Sequence, residues 1–243
     1  ASCQWHTNPR AHYPSETRHS LCHTITRMSL FDARREYGKL GLNESDLHLD
    51  PIEQFARWYK QAVDANEGEW FEPNAMTLAT VTPDGKPSAR IVLLKDFGPA
   101  GFTFFTNYES RKGQELAGNP HAALVFHWSH QERQVRIEGT VTKVSREESE
   151  TYFHSRPRGS QLGAVISCQS PVITSRKVLE DQLAALTKQY GDDQRIPMPD
   201  NWGGYRVAPQ TIEFWQGRPN RLHDRLVYTK QADGTWTIHR LAP

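Results

Sequence analysis

The densest chemistry in the chain lies in twelve consecutive residues near its end. They are Phe214-Trp215-Gln216-Gly217-Arg218-Pro219-Asn220-Arg221-Leu222-His223-Asp224-Arg225. Each of the three arginines is a fixed cation that presents a rigid fork of donors. Trp215 adds a flat apolar face and one N–H. Together they suit a planar, anionic ligand such as a phosphorylated ring or a flavin. Composition alone favours a plainer picture, a solvated charged hairpin with one half-buried tryptophan, because charge clusters usually face water. Gly217 and Pro219 make the stretch a strand end running into a turn.

Three more stretches carry charge in suggestive places. Arg90-Ile91-Val92-Leu93-Leu94-Lys95 is an apolar strand with a cation at each end. Five positions apart, Arg90 and Lys95 face opposite sides of a regular strand. They would not grip one anion together; two phosphate-bearing ligands would use both, and strand-end charges reaching solvent would need neither. Ser110-Arg111-Lys112-Gly113 opens a short helix just after a strand ending at Thr106. Helix starts are ready anion sites, and cations in a first turn oppose the dipole, so a bound phosphate makes better sense of them. In the run from Tyr152 to Ala164, the hydroxyls of Tyr152 and Ser160 and the guanidinium of Arg156 can converge on a second phosphate. The plain alternative there is a helix end running into a solvated basic loop. Gln169-Ser170 follows in a polar loop before Pro171.

The elements that must position these groups are mostly strands. Period-two patterning predicts strands at 75–82 and 88–95, joined by Thr82-Pro83-Asp84-Gly85-Lys86. Further strands are expected at 102–106, 122–128, 134–144, 204–207, 211–215, 226–229 and 235–240. So many short strands argue a closed or half-closed antiparallel barrel. Three helices decorate it. One follows Asp50-Pro51-Ile52-Glu53, with Ile52, Phe55, Ala56, Tyr59 and Val63 as its apolar face. One starts near Ser145, and one near Ser175 has Leu179, Leu183 and Leu186 as a buried stripe. The absence of βαβ alternation and of GxGxxG argues against a dinucleotide-binding fold.

Composition narrows the function classes. The 243 residues carry 29 basic and 28 acidic side chains, a net charge of +1. No global field draws the chain to nucleic acid or to a membrane surface, and no apolar run approaches the ~20 residues of a membrane span. Cys3, Cys22 and Cys168 are too scattered for a disulfide framework or a zinc site, which fits a reducing compartment and no metal. Residues 1–27 have a single acid, Glu16, and prolines at 9 and 14. They read as a disordered leader or extension, with a targeting role as one option, and Met28 as a natural start.

Taken in order, RREY at 34–37, RIVLLK, FFTN, SRKG, RQVRIEG, YFHSRPR, QS, WGGY, FWQG, RLHDR and the closing RLAP resemble the pyridoxine (pyridoxamine) 5′-phosphate oxidase family. The likeness covers essentially everything after the leader. It implies a mainly β (α+β) FMN-binding split β-barrel with peripheral helices, a single domain over 28–243, and a cytoplasmic homodimer with FMN at the subunit interface. It implies oxidation of pyridoxine 5′-phosphate or pyridoxamine 5′-phosphate to pyridoxal 5′-phosphate. Hydride would pass from C4′ to flavin N5, and O2 would take the electrons to give H2O2.

By position, Arg90, Ile91, Val92, Leu93, Leu94, Lys95, Phe105, Thr106, Arg111 and Lys112 resemble the family's FMN-binding set, completed by Gln134, Gln169, Ser170, Trp215 and Arg225. Lys95, Tyr152, Arg156 and Ser160 resemble its substrate phosphate clamp. Arg221, Leu222 and His223 resemble the residues over the substrate ring, with Arg221 and His223 catalytic. Arg34, Arg35, Glu36 and Tyr37 resemble a mobile arm that folds over substrate. Phe105 departs from the tyrosine that bacterial relatives often carry, so a hydroxyl contact to FMN would be lost there and a backbone contact kept. Two other assignments stay open: a non-catalytic FMN or pyridoxal phosphate binder of the same fold, and a relative acting on another aromatic, as flavin oxidases of phenazine synthesis do. Intact RLHDR and YFHSRPR argue against the latter.

Overall fold

Phe55 shows where the core sits. Its ring lies 4.9 Å from that of Phe97, 5.0 Å from Phe102 and 5.0 Å from Phe126. It is carried by α1 (Pro51–Asp64), which Asp50 starts by accepting a hydrogen bond from Ile52 N at 2.8 Å. The buried stripe is Ile52, Phe55, Trp58 and Ala62, a spacing of three or four that matches one helix face. Val63, expected in that stripe, is 47% exposed; Ala62 holds the place instead.

The computed structural model describes residues 36–38, 40–65, 68–167 and 169–243. Arg34, Arg35, Cys168 and the leader lie outside the described residues. The chain divides into a unit ending at Glu36, of which Glu36 alone is described and is exposed, and a unit from Tyr37 to Pro243.

In the second unit, alternating burial builds β1 (Ala75–Val81) and β2 (Pro87–Leu93). Gly85, at φ 86°, closes the turn between them, where Thr82 N donates to Lys86 O at 3.0 Å. Then follow β3 (Asp96–Gly98), β4 (Gly101–Asn107), α2 (Arg111–Gly118), β5 (His121–Trp128) and β6 (Arg133–Lys143). After α3 (Arg146–Ser155), α4 (Arg158–Ile166) and α5 (Arg176–Tyr190) come β7 (Trp202–Gln216), β8 (Asp224–Lys230) and β9 (Trp236–Arg240). The strands pair antiparallel in the order β2-β1-β5-β6-β7-β4-β3, with β8 and β9 continuing from β7. The result is a curled half-barrel with peripheral helices.

β7 is its spine. β6 runs along one edge, while the other edge pairs β4 over Trp202–Val207 and β8 over Thr211–Gln216. Two strands with a break near Pro209 were expected from the sequence. The chain instead keeps one strand, because Pro209 sits at a bulge: Glu138 faces Thr211, Gly139 faces Pro209, and Gln210 is left over. A proline without a ladder donor is tolerated there.

The stretch after Arg156, for which a solvated basic loop was the plain alternative, is mostly α4. No residue of α5 is buried, and Leu183 is 38% exposed. Only Leu186 and Tyr190 of α5 lean on the second core, formed by Phe153, Leu162, Ala164, Ile196, Met198 and Trp202. No described helix is long and apolar enough to cross a membrane.

Candidate functional site

The start of α2 gathers cations around few carboxylates. Ser110 caps it, accepting from Gly113 N at 3.3 Å and donating to Asn107 O at 2.7 Å. Lys112 Nζ donates to Thr106 Oγ1 at 3.0 Å, Ser110 Oγ at 3.2 Å and Gln169 Oε1 at 3.0 Å. All three acceptors are neutral, and among the described residues no carboxylate pairs with this ammonium. Burial first, and Arg90 second, push its pKa below the usual lysine value. Arg111 N donates to Ser170 Oγ at 3.1 Å. Gln169 and Ser170 sit at φ 42° and 77°, a left-handed pair that costs ~1–3 kcal/mol per residue and is found where function requires it.

Arg90 reaches this cluster from β2. Its guanidinium donates to Thr80 Oγ1 and Ser88 Oγ, each at 2.5 Å, and to Glu115 Oε2 at 3.3 Å. Glu115 Oε1 accepts from Arg111 Nε at 2.8 Å.

Beside the cluster opens a cavity of about 460 Å³. Ile91, Val92 and Leu93 of β2 give it an apolar wall. Phe105, Tyr152 and Trp202 give it an aromatic one, with Phe105 stacked on Tyr152 at 4.0 Å and on Trp202 at 5.5 Å. Its polar groups are Thr106, Lys112 and Gln169, joined by hydrogen bonds, and Lys95, Arg156 and Ser160. Arg156 lies over the Trp202 ring at 4.9 Å, and its buried Nη1 has no hydrogen-bond partner. Burial lowers its pKa.

The other concentration of chemistry is at the far end of β7. Trp215 pairs with Gln134 on β6 and with Arg225 on β8. His223 lies 4.6 Å from the Trp215 ring, and Tyr37 meets both rings edge-on at 5.7 Å. Gly217 makes room for this, since a Cβ there would press into the Tyr37 ring. Arg218 N donates to His223 Nδ1 at 3.1 Å, so neutral His223 carries its proton on Nε2. Burial, then Arg221, lowers its pKa, with Asp224 opposing. Asn220 and Arg221 stand at φ 57° and 61°. Arg225 is engaged inside the chain: its fork meets Glu213 at 2.9 and 3.0 Å, and Nη1 donates to Ala242 O at 2.8 Å. Thirteen positions separate Trp202 from Trp215 on one strand. At ~3.3 Å per residue that is up to about 43 Å.

A family model described as pyridoxamine 5′-phosphate oxidase matches residues 62–215. A second, the pyridoxine 5′-phosphate oxidase C-terminal dimerisation region, matches residues 202–243. The chain belongs to the pyridoxamine 5′-phosphate oxidase family. A pyridoxine/pyridoxamine 5′-phosphate oxidase from Gloeothece citriformis is 59% identical over 215 residues, 88% of this chain and 99% of that protein. One from Salinibacter ruber is 58% identical over 215 residues, with the same coverage. Among solved structures, PhzG from Burkholderia lata 383, in complex with tetrahydrophenazine-1-carboxylic acid, is 29% identical with a TM-score of 0.77, covering 86% of this chain and 100% of that one. A pyridoxamine 5′-phosphate oxidase-related, FMN binding protein from Nostoc punctiforme shares the fold at 16% identity and TM-score 0.63, covering 78% of this chain and 97% of that one.

The oxidase-family residues named from sequence therefore fall into two groups. Ile91, Val92, Leu93, Lys95, Phe105, Thr106, Lys112, Tyr152, Arg156, Ser160 and Gln169 share the cavity. Arg90, Arg111 and Ser170 surround its α2 side. Leu94 is core, 5% exposed. Tyr37, Gln134, Trp215, Arg221, Leu222, His223 and Arg225 stand apart at the loop end of β7. Sequence inspection missed Trp202 and Pro157 in the cavity wall and Glu115 beneath the cations. The tryptophan of WGGY and the proline of YFHSRPR were visible; nothing local in the sequence marked Glu115.

Proposed function

We propose that this chain oxidises pyridoxine 5′-phosphate or pyridoxamine 5′-phosphate to pyridoxal 5′-phosphate, with FMN as cofactor and O2 as acceptor, reduced to H2O2. One observation carries this: a single cavity is lined by two phosphate-suited cations, Lys112 among neutral oxygens and Arg156 with an orphaned buried Nη1. Leaving such a donor unpaired costs about 1–3 kcal/mol, or more for a charged group, and a phosphate oxygen would remove that cost. On the α2 side, Arg90, Arg111 and Lys112 against Glu115 leave two positive charges. A phosphate monoester carries about −1.5 to −2 at neutral pH, so the residues fit FMN there.

Bound FMN supplies the redox chemistry, hydride from substrate C4′ to flavin N5 and return of the electrons to O2. The protein binds and orients. Lys95, Tyr152, Arg156 and Ser160 hold the substrate phosphate, and Ile91 to Leu93 with the aromatic wall line the space for the rings. Arg221 holds the substrate ring. His223 Nδ1 accepts from Arg218 N, which leaves Nε2–H as the ring's donor. The cavity and the Arg221 loop lie at opposite ends of β7, so a homodimer with FMN at its interface supplies both to one substrate.

The test is an absorbance spectrum followed by anaerobic addition of pyridoxine 5′-phosphate. Flavin absorbance that bleaches and returns with air is the expected result. Flavin that stays oxidised points to a non-catalytic binder or to another aromatic substrate. Failure to bind added FMN would remove the cavity assignment.

A further inference from the structure

Glu115 lies at the centre of the α2 cluster, is only 4% exposed, and had no assigned role. It sits one helical turn after Arg111. Oε2 accepts from Thr80 Oγ1 at 2.5 Å, Ser88 Oγ at 2.6 Å and Arg90 Nη2 at 3.3 Å; Oε1 accepts from Arg111 Nε at 2.8 Å. We propose that Glu115 is a positioning residue for the phosphate of the cofactor, fixing Arg90 and Arg111 as one preset pair of anion ligands. This rests on the FMN assignment above.

The donor geometry supports it. The Arg111 side chain is 61% exposed and would otherwise sample solvent. Glu115 takes its Nε and leaves the outer guanidinium edge unengaged among the described residues. An arginine held in advance loses less rotamer freedom on meeting its ligand. Arg90 is fixed in the same cluster, Nη1 by the Leu78 carbonyl and Thr80 and Nη2 by Ser88 and Glu115, which leaves its Nε–H for the ligand. Burial works to raise the Glu115 pKa, but the hydrogen bonds from Ser88, Thr80, Arg111 and Arg90 outweigh it and hold it at about 2. It is therefore an anion whenever the enzyme works. That makes the proposal sharp, because an anion beside a phosphate repels it. By charge alone, Glu115→Gln should tighten FMN. If positioning dominates, it should weaken FMN.

The experiment titrates full-length apoprotein with FMN and with riboflavin, which lacks the phosphate, following flavin fluorescence. For Glu115→Gln the FMN Kd is expected to rise about tenfold, the scale of one charge-assisted hydrogen bond, and the riboflavin Kd to stay within about twofold. An FMN Kd that is unchanged or lower overturns the proposal, and so does equal weakening of both flavins, the mark of general structural damage. A wild type that binds riboflavin as tightly as FMN would instead overturn the phosphate assignment. Should Glu115→Gln not fold, Thr80→Val removes one donor to the carboxylate and is expected to raise only the FMN Kd, by about threefold. In the double variant with Arg111→Gln, the two FMN effects should fall well short of adding, because Glu115 acts through Arg111. Full additivity would overturn the pairing.

Discussion

The two ends of β7 solve opposite problems. At the Trp202 end a cavity holds cations without carboxylate partners, Lys112 and Arg156. At the Trp215 end most cations are already paired: Arg225 with Glu213, Arg218 with Asp224, and Arg240 with both Glu44 and Asp224. Only Arg221, among the described residues of that loop, has no ion pair. On the proposed function, the first end receives the phosphates and the second presents one cation without an ion pair, Arg221, held among paired ones.

Arg221→Ala tests the second end most severely. Removing a single donor to a reacting centre typically lowers kcat by about 10²–10³. That fall is expected here, with flavin content and FMN Kd unchanged. Turnover near the wild-type rate would mean that the loop end takes no part in the reaction. Lys112→Met tests the first end. It removes the ammonium and keeps the volume, and should raise the FMN Kd by about 10- to 100-fold, the scale of a charged hydrogen-bonding group. Activity at saturating FMN should largely survive. The two variants should thus exchange phenotypes, one losing rate and the other cofactor.

Much of the site was legible because ligand chemistry leaves local marks: cations at a helix start, a hydroxyl-guanidinium run, an arginine-rich turn. The sheet was legible because alternation is local too. What was hidden depends on distant partners. Glu115 reads as an ordinary helix acid until β1 and β2 bring Thr80, Ser88 and Arg90 to it. Pro209 reads as a break until pairing with β6 shows it at a bulge of β7. Val63 and Leu183 are apolar at helical spacing, yet neighbouring elements leave both exposed. The separation of the two ends along one strand was invisible for the same reason.

pH separates the ends further. Burial depresses the Lys112 pKa below 10.5. Below that depressed value Lys112 is charged in folded and unfolded chains alike, and its burial penalty is fully present. As pH rises through the depressed pKa towards 10.5, the folded apoprotein sheds this proton first, so the unfolded chain binds more protons and stability from this group rises. Phosphate affinity, which needs the ammonium, falls over the same interval. Relative to Lys112→Met, the wild-type apoprotein Tm should therefore rise as pH increases while the wild type's advantage in FMN affinity shrinks. An affinity advantage that persists as the Tm rises would show that the ammonium does not face the phosphate.

The smallest effect is expected from Arg225→Lys. Lysine keeps the charge but cannot fork onto Glu213, which is only 8% exposed on its side chain, nor hold the Ala242 carbonyl as well. Losing about one charge-assisted bond should lower stability by about 1–2 kcal/mol, a Tm decrease of several degrees at this chain length. Because the Arg225 donors are turned inward, the FMN Kd should stay within about twofold. A tenfold rise would place Arg225 on the cofactor directly, through its remaining N–H groups, across the subunit interface. The loop end would then receive the cofactor as well as present Arg221.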